Sequence, residues 1–172
     1  MSDIKMPELK PLSNDAIPEA HEKAKHYRLL NAPWQAESIC RDILNADPDN
    51  QAVIYTLILA ITDQFESYGR TSPAFAEELT SKLNDPYEAE YCRGLIFERL
   101  AIATYRRQTP GCGYHAYSHF QRAMGHYQKA EQFQSGTNRE SILRWNACVR
   151  FIQQHKLESQ PEEIGGEPLL DD

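Results

Sequence analysis

HYRLLNAPWQAESICRDILNADPDN, residues His26–Asn50, is the stretch whose reading decides the fold. It holds two short amphipathic segments, a break at Asn31-Ala32-Pro33, and a proline turn at Asp47-Pro48-Asp49-Asn50. Proline fits the first turn of a helix, where its missing N–H is not needed, so Pro33 opens the second segment rather than interrupting it. Small residues, Ala24 and Ala36, flank the aromatic Tyr27 on the inner side of the two segments. Two helices joined by so short a break must lie side by side.

Working outward, the same periodicity predicts about seven helices. The first begins at Pro18 and runs to about Asn31, with Ala20, Ala24, Tyr27 and Leu30/Ala32 as its inner stripe. Ala36, Cys40, Ile43 and Leu44 form the inner face of the second. Asn50 caps a third that carries Val53, Ile54, Leu57, Ile58 and Ile61 and ends near Tyr68-Gly69. Ser72-Pro73 opens a fourth with Ala74, Phe75, Leu79 and Leu83 inside, and Asp85-Pro86-Tyr87-Glu88 reads as a capping box for a fifth that extends to about Arg107. The sixth spans about Tyr114 to Phe133 and places Ala116, Phe120, Ala123, Tyr127 and Ala130 on one face. Thr137 with Glu140 opens the seventh. It runs to about His155, with Ile142, Trp145, Val149 and Ile152 covering the preceding pair and Arg144, Arg150 and Gln153/Gln154 outermost.

Residues 1–14 have prolines and no periodicity and read as a flexible arm; residues 15–156 form the helical domain. Residues 157–172 carry six acids and no Lys or Arg, and read as a disordered acidic tail. The net charge of −7 therefore resides almost entirely in that tail, and the rest of the chain is near neutral. Nucleic-acid binding, which draws its affinity mainly from neutralising phosphates, is not expected of such a chain. No apolar run approaches a membrane span, and the N-terminus lacks the apolar region of a secretory signal. Cys40, Cys92, Cys112 and Cys148 are widely spaced, three of them on apolar helix faces, which points to free thiols and a cytoplasmic location.

Catalytic motifs are missing. His21 and His26 stand five apart, about 140° around a helix, and cannot grip one ion as a four-residue spacing does. Asp47-x-Asp49 lacks the glycine and distal glutamate of a calcium loop. Gly111-x-Gly113 lacks the lysine and strand of a phosphate loop. The best metal candidates are Cys112, His115 and His119, with His126 too far along the helix to join them; a structural role on a polar helix is the commoner use of such residues. No cofactor is implied and no enzymatic activity is expected.

The spacing Ala24–Tyr27–Ala36–Pro48, the second proline turn at Asp85-Pro86, and the small-then-aromatic steps Gly94/Phe97 and Ala123/Tyr127/Ala130 resemble the tetratricopeptide repeat. Three units would cover residues 15–137, with the seventh helix as cap. The resemblance implies an all-α, right-handed α-solenoid of antiparallel helix pairs, whose alternate helices line a concave groove for a peptide or partner helix. At the matching positions the groove would present His21, Lys25 and Arg28, then Tyr55, Leu59 and Thr62, then Tyr91, Leu95, Glu98 and Arg99, and finally Arg139, Asn146 and Arg150. That mixture suits an acidic or aromatic-containing partner. Thr56 and Glu88 stand where the carboxylate clamp of chaperone-binding members needs an amide and a cation, so chaperone tails are not the expected guest. Self-association as a structural subunit is one alternative, and a metal-binding helical protein using Cys112, His115 and His119 is another. So is docking of the acidic tail, through Leu169-Leu170, into the groove of the same or a neighbouring chain.

Overall fold

The computed structural model describes residues 6–67 and 72–161. Among these, the chain is all-helical: α1 (Ile17–Leu29), α2 (Pro33–Ala46), α3 (Gln51–Thr62), α4 (Pro73–Thr80), α5 (Pro86–Arg106), α6 (Cys112–Glu131) and α7 (Glu140–His155), preceded by a 3-10 turn at Asn14–Ala16. Each helix packs on the next along the chain, and α1 also packs on α3 and α3 on α5.

Local chemistry explains the boundaries. Pro33, Pro73 and Pro86 each occupy a first helical position. α1 is closed by Asn31, which takes a left-handed conformation (φ 56°). This lets the Ala32 N–H reach back to the Tyr27 carbonyl (2.9 Å) and the Asn31 N–H to that of Arg28 (3.0 Å), capping orphan carbonyls without a glycine. α7 ends the same way: Lys156 is left-handed, the Leu157 N–H bonds the Ile152 carbonyl at 3.0 Å, and Leu157 lies within reach of Gly113 at the start of α6.

The expected interior is largely in place. Ala24, Ala36, Cys40 and Ile43 are fully buried, and the α6 face of Ala116, Phe120, Ala123, Tyr127 and Ala130 is sealed against its neighbours. At Gly94 the Tyr127 ring of α6 lies directly against α5: a Cβ there would sit 2.5 Å from Tyr127 Cε1. Only a residue without a side chain tolerates that approach. The four cysteines are unpaired, with Cys40, Cys92 and Cys148 buried, and burial pushes the Cys40 and Cys92 thiols up to about 12.

Several expectations require correction. α3 stops at Thr62, because the ladder tightens into three-residue turns from Gln64, whose side chain bonds the Ala60 carbonyl (3.0 Å) and Glu37 (2.7 Å). The Tyr68-Gly69 end falls outside the described residues, as do residues 162–172. In α4 it is Ala76 that is buried while Ala74 is exposed; Leu79 and Thr80 set the phase, and Ala74 is too far around the helix to share it. Leu30 is 60% exposed and leaves the α1 stripe.

Asp85 caps α5 by accepting from the Tyr87 N–H (2.8 Å). At α7 the cap comes from Asn138, which accepts from the Glu140 N–H (3.0 Å), and not from Thr137. α7 is also turned so that Ser141 and Cys148 lie innermost, with Ile142, Trp145 and Val149 half-buried on the flank. Arg144 points inward rather than to the outer side, and reaches Glu98 of α5. Residues 6–13 are not helical, but Leu12 packs on the edge of the core.

Candidate functional site

Hydrogen bonds tie the alternate helices α1, α3, α5 and α7 into one row. His21 bonds Thr56 (2.8 Å) and Arg28 bonds Asp63 (2.8 Å), joining α1 to α3. Arg99 donates to the Leu59 carbonyl (3.1 Å), to Asp63 (2.5 Å) and to Thr62, joining α3 to α5. Arg144 donates to Glu98 (3.2 Å), and the Tyr87 hydroxyl donates to Asn138 (3.2 Å), joining α5 to α7 and the loop before it. Of the residues assigned to the groove on sequence grounds, His21, Arg28, Leu59 and Arg99 take part in these bonds, and Tyr55 and Tyr91 line a cavity beside them. Lys25 is exposed and paired with Glu22 on its own helix. Asn146 and Arg150 are exposed on α7, and the α7 side chain that closes the row is Arg144.

Two depressions lie along the row. One, about 250 Å³, is lined by charges of both signs: Asp63, Glu66, Glu98, Arg99, Arg106 and Arg144, with Thr62, Phe65 and Ile102 between them. These charges answer one another. Asp63 holds both Arg28 and Arg99, and Glu66 takes Arg106 through both oxygens at 2.6 Å. Glu98 is almost fully buried and accepts from Arg144 and, at 2.5 Å, from the Tyr127 hydroxyl. A buried carboxylate is tolerable only with such partners. Burial, reinforced by Glu98, pushes the Tyr127 phenol far above its ordinary range, so it remains a donor. Desolvation lowers the Arg99 guanidinium somewhat, opposed by Asp63.

The other depression, about 300 Å³, is lined by Tyr55, Tyr87 and Tyr91, the carboxylates Asp85, Glu88 and Glu140, and Phe133, Ser135 and Asn138. Tyr87 and Tyr91 stack at 5.9 Å, and Tyr91 leans on Tyr127 at 5.8 Å. No lysine or arginine lines this cavity. Burial, and then the neighbouring Asp85, raise the Glu88 carboxyl above its usual range, and burial raises the Tyr55 and Tyr91 phenols.

Sequence reading missed Asp63, Glu66, Tyr87 and Arg144. Glu66 continues the spacing Tyr55–Leu59–Thr62, and Tyr87 precedes Tyr91 by four, so helical phase alone would have found both. Arg144 carried no such signal, because which face of α7 turns inward is set by packing.

The candidate metal ligands are not gathered. Cys112 is half-buried at the start of α6, His115 is exposed, and the ring of His119 lies parallel to Phe97 at 6.5 Å. His126 bonds Glu90 at 2.8 Å. Among the described residues no three His, Cys, Asp or Glu side chains are placed to hold an ion. None of the helices described is long and apolar enough to cross a membrane. No protein-family model, curated protein or solved structure matches the chain.

Proposed function

We propose that the chain is a TPR-like right-handed α-solenoid of three antiparallel helix pairs, α1/α2, α3/α4 and α5/α6, capped by α7, and that it works as a non-catalytic protein-interaction module. A peptide or partner helix lies along the α1–α3–α5–α7 row. One observation carries this reading: side chains of alternate helices, up to 46 residues apart in sequence, bond one another along a single row. In a stack of helix pairs, each first helix meets the first helix of the next pair. The free cysteines suit a reducing compartment, and a cytoplasmic module is the natural form of the proposal.

The acidic guest expected from the sequence loses its main support, since Arg28 and Arg99 are both engaged by Asp63. A photo-crosslinking residue placed at Leu59, within the row, is expected to trap a partner that the same residue at exposed Ser118 on α6 does not trap. Equal yields at the two positions refute the row as the binding face.

Self-association has its own supporting observation. Leu29, Leu30 and Trp34 are 85%, 60% and 55% exposed around the α1–α2 turn, an apolar group of the kind found at interfaces. Light scattering over a concentration series decides it: a dimer that Trp34→Ala dissolves supports this second reading, and a monomer at all concentrations removes it.

A further inference from the structure

Building on the interaction-module reading, we propose that the tyrosine-lined cavity at the start of α5 and α7 takes one cationic side chain, a lysine ammonium or arginine guanidinium, presented by a basic segment of a partner protein. The first ground is charge. Asp85, Glu88 and Glu140 line the cavity and no lysine or arginine does. Two guanidinium groups lie close without lining it: Arg144 bonds Glu98 and also reaches the Tyr91 hydroxyl, and Arg139 donates to the carbonyls of Gly136 and Asn138.

The second ground is the aromatic wall. Tyr55, Tyr87 and Tyr91 supply electron-rich rings, and Phe133, 49% exposed, adds a fourth at the edge. Rings beside carboxylates hold an alkylammonium or guanidinium group by cation–π attraction and ion pairing together, while the alkyl stem packs on the phenols. At about 300 Å³ the space is at the lower end of small-ligand pockets and suits one side chain rather than a large cofactor.

An anion is the competing guest, because helix N-termini attract negative charge. Here one first-turn amide of each helix already has an acceptor: Asp85 takes the Tyr87 N–H, and Asn138 takes the Glu140 N–H. Each helix end contributes about half a positive charge, against three carboxylates on the wall. The raised Glu88 carboxyl, crowded by burial and Asp85, fits a site whose negative charge lacks a partner within the chain. A bound cation relieves that crowding, so affinity falls as pH drops through the Glu88 titration.

The test uses the full chain with isotope-labelled tyrosine, titrated with n-butylammonium, n-butylguanidinium or butyrate while the ring signals are followed by NMR. Saturable shifts of the Tyr55 and Tyr91 rings with either cation, at millimolar affinity and not with butyrate, are expected. Glu88→Gln, which keeps the shape, weakens binding about tenfold at an unchanged melting temperature. Tyr55→Leu weakens it as well. A labelled peptide alternating lysine and alanine binds more tightly than one alternating glutamate and alanine. The proposal is overturned if the rings ignore both cations, if butyrate acts equally, or if Glu88→Gln changes nothing. Should the Leu59 crosslink still form in that event, the interaction module survives and only its ligand chemistry is wrong.

Discussion

The two depressions along the row have similar volumes and nearly opposite electrostatics. At the Asp63 end every carboxylate on the wall has a guanidinium from another part of the chain: Arg28 and Arg99 on Asp63, Arg106 on Glu66, Arg144 on Glu98. At the Tyr55 end, three carboxylates face a cavity lined by tyrosines with no lysine or arginine among them. Charges that satisfy one another across helices hold those helices in register. Carboxylates left beside exposed aromatic surface suit a guest. Removing a charge at the first end should therefore cost stability, and at the second only binding.

The largest expected effect is at Asp63. Asp63→Ala leaves Arg28 and Arg99, with side chains only 22% exposed, facing each other without their shared counter-ion. A loss of about 3 kcal/mol is expected in urea denaturation, the scale for breaking a largely buried pair. A loss below about 0.5 kcal/mol would mean that the end is not internally matched. Tyr127→Phe comes next. It removes the hydroxyl that donates to buried Glu98 at 2.5 Å and is expected to cost about 2 kcal/mol, the scale of a hydrogen bond to a charged group. Calorimetry of the two variants ranks the contributions.

A smaller effect follows from two histidines. Burial, and then Lys25, lower the His21 pKa below its ordinary 6.5; burial, and then Arg122, lower that of His119 likewise. The folded chain thus prefers both rings neutral, and unfolding takes up protons. Stability from this source is full above 6.5 and is lost as pH falls through the depressed folded values. The melting temperature should drop over that interval, and the slope should shrink in a His21→Gln, His119→Gln double variant. An unchanged slope would assign the acid sensitivity elsewhere.

The smallest effect sharpens the contrast most. Glu88→Gln should leave stability unchanged within about 0.5 kcal/mol or raise it slightly, since the folded state already disfavours that charge. A loss comparable to that of Asp63→Ala would make the two ends alike and remove the reason for regarding the tyrosine cavity as a binding site.

Much of this was legible before any coordinates. The breaks at Asn31-Ala32-Pro33 and Asp85-Pro86 declared themselves through residues whose backbone preferences are local. The α6 face of alanines and aromatics followed from helical spacing; the packing of the Tyr127 ring on Gly94 did not. Where reading failed, the cause was either the phase in which a short helix packs or a contact from far along the chain. Ala76 replaces Ala74 inside because Leu79 and Thr80 set the phase of α4. The early end of α3 depends in part on Gln64 finding Glu37, 27 residues away.

Composition and periodicity were enough to determine that this chain is helical, where most of its helices begin, and that His21, Arg28 and Arg99, though not Asp63, belong to the α1–α3–α5 row, because propensity, capping and 3.6-residue spacing act within a turn or two. Only the tertiary structure decided which charges in that row are free. Arg28 and Arg99 read as open cations in one dimension and become partners of Asp63 in three, since ion pairing depends on distance through space and not along the chain.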